Sequence, residues 1–300
     1  MENMNAELIS ETVSTPPTGY KVIVREFLKD KGAITASVIL VGLLLYVFIG
    51  SLFIDQDKVM FVSLLDQYAP PSSKFLLGAD QGGRDIYGQL IIGAKNSILI
   101  GFSITLITCT VGIAVGVIAG YYGGLVDNIL MRIIDFIMVL PTQMIIIVFI
   151  TIITNYNVYS FIGIMSLFYW VGEARLIRSK ALSESKRDYV SASKTMGTSS
   201  VNIMFREILP NLSSVIIVNL TLNFAANIGI ETGLTFLGFG LPSSTPSLGT
   251  LVSYATSPDI LENKIWVWLP ASILILVLML CINYVGQALK RAADSKQRLG

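Results

Sequence analysis

Histidine is missing from all 300 residues, and cysteine occurs only twice, at Cys109 and Cys281. Without histidine there is no imidazole metal ligand, no side chain that ordinarily titrates near neutral pH, and no Ser-His or Cys-His nucleophile pair. Both cysteines sit in apolar runs, which excludes a disulfide scaffold or a thiolate metal site and leaves packing as their role. Charge is scarce too. Charged residues make up 14% of the chain and leave a net charge of +1, which implies neither nucleic acid nor an acidic substrate. A phosphate-binding loop of the G-x-x-x-x-G-K-S/T type is absent, so neither an ATPase nor a hydrolase is expected. The first thirty residues carry Glu2, Glu7, Glu11, Glu26 and Asp30 and no early apolar core. A cleavable signal peptide is therefore not expected, and the first apolar segment should act as an uncleaved anchor.

What the chain has instead is apolar length. Hydrophobic residues make up 53% of it, the balance of a polytopic membrane protein. Charge-free runs cover 32–54, 96–126, 136–172, 208–230 and 265–289. A spanning helix needs about 20 apolar residues, and the third run is nearly two such lengths with a polar middle at Thr154-Asn155-Tyr156-Asn157. This predicts an all-α membrane protein of six spans, near 33–54, 97–119, 133–153, 157–175, 212–231 and 266–288. The Gly-, Pro- and Ser-rich stretch 232–264 is expected to be a folded loop.

Sixteen Lys and Arg residues fall on one side of these spans and five on the other, so the positive-inside rule predicts that both termini are cytoplasmic. The expected organisation is a cytoplasmic tail 1–32, a first helix 33–54, an extracytoplasmic loop 55–95, a core 96–289 and a cytoplasmic tail 290–300. Trp266 and Trp268 then fall at the outer boundary, and Trp170, Tyr121 and Tyr122 at the inner one. Gly112, Gly116 and Gly120, spaced by four, mark a close helix approach, either within the chain or with a second membrane chain.

The most informative segment is the charged loop 173–210. Within it Tyr189, Ala192, Ser193 and Met196 fall on one helical face, with Asp188 as the expected N-terminal cap and Gly197 as the expected left-handed stop. Leu209 and Pro210 lead back into apolar chain. Such a helix either docks in a groove of a soluble partner or lies on lipid headgroups. Glu231 is the one acid at the edge of the fifth run, and helix length places it near the outer mouth, in a structural or a gating role.

The segment Asp188-Tyr189-Val190-Ser191-Ala192-Ser193, Gly197 and Leu209-Pro210 resembles the coupling loop of bacterial binding-protein-dependent ABC importers. That family's pattern is Glu-Ala-Ala, three residues, Gly, nine residues, then Ile, one residue, Leu-Pro. Here Ser191 and Ser193 replace the Glu and the second Ala, and Glu207 the Ile. Other segments resemble the C-type permeases of dipeptide and oligopeptide systems. Gly78-Ala79-Asp80-Gln81-Gly82-Gly83-Arg84-Asp85 is similar to their outer motif. Gly120-Tyr121-Tyr122-Gly123-Gly124, with Asp127, Arg132, Asp135 and Pro141, is similar to their second cytoplasmic turn. Glu231 to Gly240 is similar to their Glu-x-x-Leu-Ser-Phe-Leu-Gly-Leu-Gly stretch, and Leu248 stands where a Trp is usual. The resemblance covers about 75–289; residues 1–32 match nothing.

The resemblance implies the type I importer permease fold and a non-catalytic peptide permease subunit. It also implies a second permease, two cytoplasmic ATPases that hold ATP and Mg, and an extracytoplasmic solute-binding protein; this chain itself would bind no cofactor and no metal. Alternatives are the same machine carrying nickel or an opine, and an ion-coupled carrier with no ATPase.

Overall fold

The computed structural model describes residues 19–154, 156–242 and 244–299. Residues 1–18, most of the expected tail, lie outside the described residues. The rest of that tail is helix: α1 spans Gly19–Lys29 and turns at Asp30 into α2, Lys31–Gly50. A short α3, Gln56–Val59, precedes the long α4, Ile86–Tyr122. Then come α5 (Gly124–Val139), α6 (Thr142–Ile152), α7 (Val158–Glu184), α8 (Asp188–Thr195) and α9 (Ser200–Ile203). A π-helical turn, Met204–Ile208, joins α9 to α10 (Leu209–Phe236), and α11 (Leu248–Ser253), α12 (Pro258–Asn263) and α13 (Leu269–Leu299) complete the chain. Among the described residues, five helical stretches are long and apolar enough to cross a bilayer, or six if α5 and α6 count as one broken span.

Several boundaries differ from expectation. The second span begins eleven residues before the predicted 97, since α4 starts at Ile86 inside the expected loop 55–95, where Asp85 caps it by accepting from the amides of Tyr87 and Gly88. The third span bends by 78° between α5 and α6, because Pro141 has no N–H to donate and drives Leu140 into an extended conformation. The fourth span does not stop near 175; α7 runs on to Glu184, as no proline interrupts it. The predicted loop 173–210 is therefore mostly helix. The predicted loop 232–264 is likewise part of α10 followed by α11, α12 and short 3-10 turns.

The core is built around α4, whose 37 residues extend about 55 Å at 1.5 Å per residue. One face packs on α2, α10, α11 and α13 through Val47, Ala94, Ile98, Ile228, Leu251 and Leu278. Another packs on α6, α7 and α10 through Ile104, Ile146, Phe161, Met165 and Leu234. Outward faces stay apolar, as at Val38, Val41 and Leu45 of α2 and Leu276 and Leu280 of α13, which suits contact with lipid tails. The α6–α7 turn is closed by Asn157, whose side chain accepts from the amides of Tyr159 (2.9 Å) and Ser160 (3.1 Å).

Gly112, Gly116 and Gly120 all face α7, so their close approach is within the chain. A Cβ on Gly112 would lie 2.7 Å from Glu173 Cβ, on Gly116 2.7 Å from the Ala174 carbonyl, and on Gly120 2.7 Å from Ala181 Cβ. Cys109 and Cys281 are buried and unpaired.

Candidate functional site

At one end of the bundle, the C-terminal ends of α4 and α7 and the start of α10 form a seat for α8. Val190 is fully buried there among Val117, Tyr121, Ile177, Ala181, Ile203, Ile208 and Leu212. Ser193 is buried on the same face. Tyr189 is half-buried; its hydroxyl donates to Glu184 Oε1 (2.9 Å) and accepts from Asn211 Nδ2 (3.0 Å). Burial, reinforced by the bond to Glu184, pushes its phenol up to about 12. Lys194 sits over the Tyr121 ring, 4.7 Å from its centre. The face predicted from spacing is thus split: Tyr189 and Ser193 anchor the helix, while Ala192 and Met196 point outward beside Asp188, Ser191 and Thr195.

The ends of α8 also differ from expectation. Asp188 is the first helical residue, and the cap position belongs to Arg187, whose side chain makes no capping bond. Gly197 does take the left-handed conformation, φ +80°. The amide of Thr198 then reaches the Ser193 carbonyl (3.0 Å), closing the helix as such stops do. Leu209 packs beneath α8, and exposed Pro210 opens α10 just after the π turn. Ion pairs link this end to α5: Arg178 to Asp127, with Nε–Oδ1 at 2.8 Å, and Arg175 to Asp135.

At the opposite end lies Glu231, which helix length placed near the outer mouth. It is fully buried inside α10, one turn before the helix ends. Its Oε2 accepts from Ser97 Oγ of α4 (2.9 Å) and its Oε1 from Thr235 Oγ1 (3.0 Å). Each hydroxyl in turn accepts a backbone amide: Ser97 that of Leu248 (3.1 Å), Thr235 that of Leu241 (3.3 Å). Glu231 therefore holds the segment after α10 and the start of α11 onto α4 by way of two hydroxyls. Gly93, Gly240 and Gly249 let backbone close around this point; a Cβ on Gly249 would lie 2.6 Å from Thr235 Cβ.

The segment Gly78 to Asp85 stands beside this network. Asp80 is fully buried; Oδ1 accepts from the amides of Gly82 (2.7 Å) and Arg84 (3.0 Å), and Oδ2 from Gln89 Nε2 and the Tyr254 hydroxyl, both at 3.0 Å. Asp85 caps α4, accepting from the amides of Tyr87 and Gly88. Gly83, φ +70°, passes so close to the Ser63 carbonyl that a Cβ would sit 1.9 Å from its oxygen. Gly78 packs under Trp266 in the same way. Arg84 Nε is buried without a partner among the described residues.

Sequence reasoning missed Glu173. Placed at the edge of the charged loop, it is in fact inside α7 and 5% exposed. Its Oε2 accepts from Asn223 Nδ2 of α10 (3.1 Å) while its Oε1 has no partner among the described residues. The unbroken helical pattern through α7 was the available signal.

Residues 112–298 match the family described as "Binding-protein-dependent transport system inner membrane component". The chain is 53% identical to the oligopeptide transport system permease protein OppC of Lactococcus lactis over 276 residues, covering 92% of this chain and 94% of that protein. It is 35% identical over 285 residues to the OppC of Mycobacterium bovis, covering 92% and 94%. With the dipeptide transport system permease protein DppC of Bacillus subtilis it shares 33% identity over 274 residues, covering 91% and 85%. Long apolar helices, a helix seated across three span ends and these matches agree, and the chain belongs to the family of inner-membrane components of binding-protein-dependent transport systems.

Proposed function

We propose that this multi-pass membrane protein is one of two related permease subunits of an ATP-driven peptide importer in a bacterial cell membrane. The α8 end faces the cytoplasm and the Glu231 end faces outward, in line with the sixteen-to-five division of basic residues. The outward face of α8, with Ser191, Ala192 and Met196, enters a groove of a cytoplasmic ATPase. The observation that carries this reading is the seating of α8. Val190 ties it to α4, α7 and α10 together, so a push on its free face is delivered to three spans at once. Exposed Met196, Val201 and Phe205 on a polar end support a partner surface there.

Closure of the ATPase dimer on ATP and Mg moves α8 with the span ends. The path between the two permeases opens outward, receives peptide from the solute-binding protein and releases it inward on reset. The peptide cargo follows the named relatives. This chain supplies lining and leverage and no bond chemistry.

The test is reconstitution in liposomes with the second permease, both ATPases and the binding protein. Uptake of a labelled peptide that requires ATP on the ATPase side is expected. Uptake driven by an ion gradient without ATP, or ATPases that fail to co-purify, would overturn the reading.

A further inference from the structure

Helix α1 takes no part in the α8 seat or in the Glu231 network. Its sequence puts Val24, Phe27 and Leu28 on one helical face and Arg25 at the edge of that face. It packs on α2 and α13. Between α1, the second and third turns of α10 and α13 lies a cavity of about 270 Å³. Val24, Phe27 and Leu28 line it from α1, Ile217 and Val218 from α10, and Leu289 from α13. Among the described residues, Ser214 is the sole polar side chain in its wall. Leu28 is 60% exposed and Ile217 45%, so this slot opens on the outside of the bundle.

The depth of the slot follows from the sequence. The charge-free run of α13 ends at Leu289, before Lys290 and Arg291; that of α2 begins after Lys31, and that of α10 after Glu207. The slot thus lies where three helices pass from charged to apolar chain. That is the level at which acyl chains meet headgroups and at which basic amphipathic helices lie. Charge there is unbalanced. Among the described side chains of this corner, 24–31 and 289–293, five are basic and two acidic. Glu26 is bonded to Lys29 and Asp30 to Arg291. Arg25, Lys31 and Lys290 are left exposed, without an ionic partner among the described residues.

We infer that this slot binds an anionic phospholipid, one acyl chain between α1, α10 and α13 and the headgroup at Arg25 and Lys290. Water would find a single hydroxyl to bond in the slot and is a poor occupant. Free phosphate would meet the cations but leave the apolar wall bare. A lipid satisfies both, and it joins α1 to the turns of α10 that follow the α8 seat. The inference depends neither on the cargo nor on the ATPases.

The experiment uses the whole transporter in phosphatidylcholine liposomes with a minor share of photo-reactive lipid, its diazirine within one acyl chain. A phosphatidylglycerol probe is expected to form adducts on 24–28, 214–218 and 289–293. Unlabelled phosphatidylglycerol should compete these away, and inorganic phosphate should not. Arg25→Gln with Lys290→Gln should lower the adducts by about fivefold for each cation removed. Ser214→Trp, which fills the slot, should lower them with both cations in place. Unchanged labelling of exposed Val38 and Val41 on α2 reports an intact fold in either variant. Equal labelling of the three segments by a phosphatidylcholine probe would show ordinary lipid contact and overturn the inference. So would an absence of adducts there while α2 is labelled, which would mean that protein covers the slot, or adducts that persist unchanged in the paired Gln variant. No readout here needs peptide or ATP, so such a failure leaves the importer reading standing.

Discussion

At the scale of single residues, two side chains at the α8 end make contrasting predictions. Tyr189→Phe keeps the ring but loses both hydrogen bonds, to Glu184 and Asn211. The cost to the seating of α8 should be about 1–2 kcal/mol, seen as faster amide exchange over 188–197. Because the neutral phenol is the favoured form, its contribution is complete below the ordinary tyrosine value near 10 and fades as pH rises from there to about 12. Asp30 titrates with the opposite sign. Hydrogen bonding to Arg291 of α13 (2.6 Å) and to the Ala33 amide holds its carboxyl below the usual carboxylate range. The clamp between the α1–α2 corner and α13 should persist above pH 4 and loosen as pH falls through the lowered value, an effect that Asp30→Asn removes. Exchange measured across pH 3–6 checks it. For buried Glu231, Gln preserves one acceptor but turns an amide toward a hydroxyl that now donates to a carboxylate. Glu231→Gln should reduce transport while leaving it ATP-driven, and uptake with and without a proton gradient is the measurement.

At the scale of elements, the glycine ladder decides how near α4 and α7 come. Gly116→Leu would drive a side chain into the Ala174 carbonyl and Ile177. Loss of folded protein from the membrane is expected, by thermal unfolding in detergent, whereas the same change at Gly163, which meets nothing within 4 Å, should be mild. The ladder was legible in the sequence because small residues at spacing four imprint helix contact directly. So were the apolar runs and the left-handed stop at Gly197. Glu173 was not, because a charge was taken to end a span and nothing local says that Asn223 waits on α10 to bond it. Nor was the depth of Glu231: counting residues along α10 measures distance along the axis, but burial came from the returning segment 240–249, folded back by glycines onto Ser97 and Thr235. The side-chain partners of Asp80, Gln89 and Tyr254, too, lie 9 and 174 residues away, and no local pattern announces them.

At the scale of the whole molecule, the two ends of α4 carry different duties. Gly197→Val asks a β-branched residue to hold φ near +80°. It should lower both transport and ATPase co-purification at equal membrane abundance, and unchanged values for both would remove α8 from the coupling role. At the other end, Gln81→Cys should react with an impermeant thiol reagent added outside intact cells; labelling only after lysis would invert the orientation. Between these ends α4 and α7 are packed too closely to admit even a methyl group, since a Cβ on any rung of the glycine ladder would lie under 3 Å from backbone or Cβ of α7. Sliding would carry Ala174, Ile177 and Ala181 of α7 off the glycines and onto the larger side chains of α4. The pair is therefore a strut, and on the proposed coupling a movement imposed at α8 would be carried along it as tilt. The 78° elbow at Pro141 breaks the next span in two. Both halves are tied to the strut, α5 by the Arg178–Asp127 ion pair and α6 by Ile146 and Ile150 against Ile104, Phe161 and Met165, so a tilt of the strut would take both halves with it.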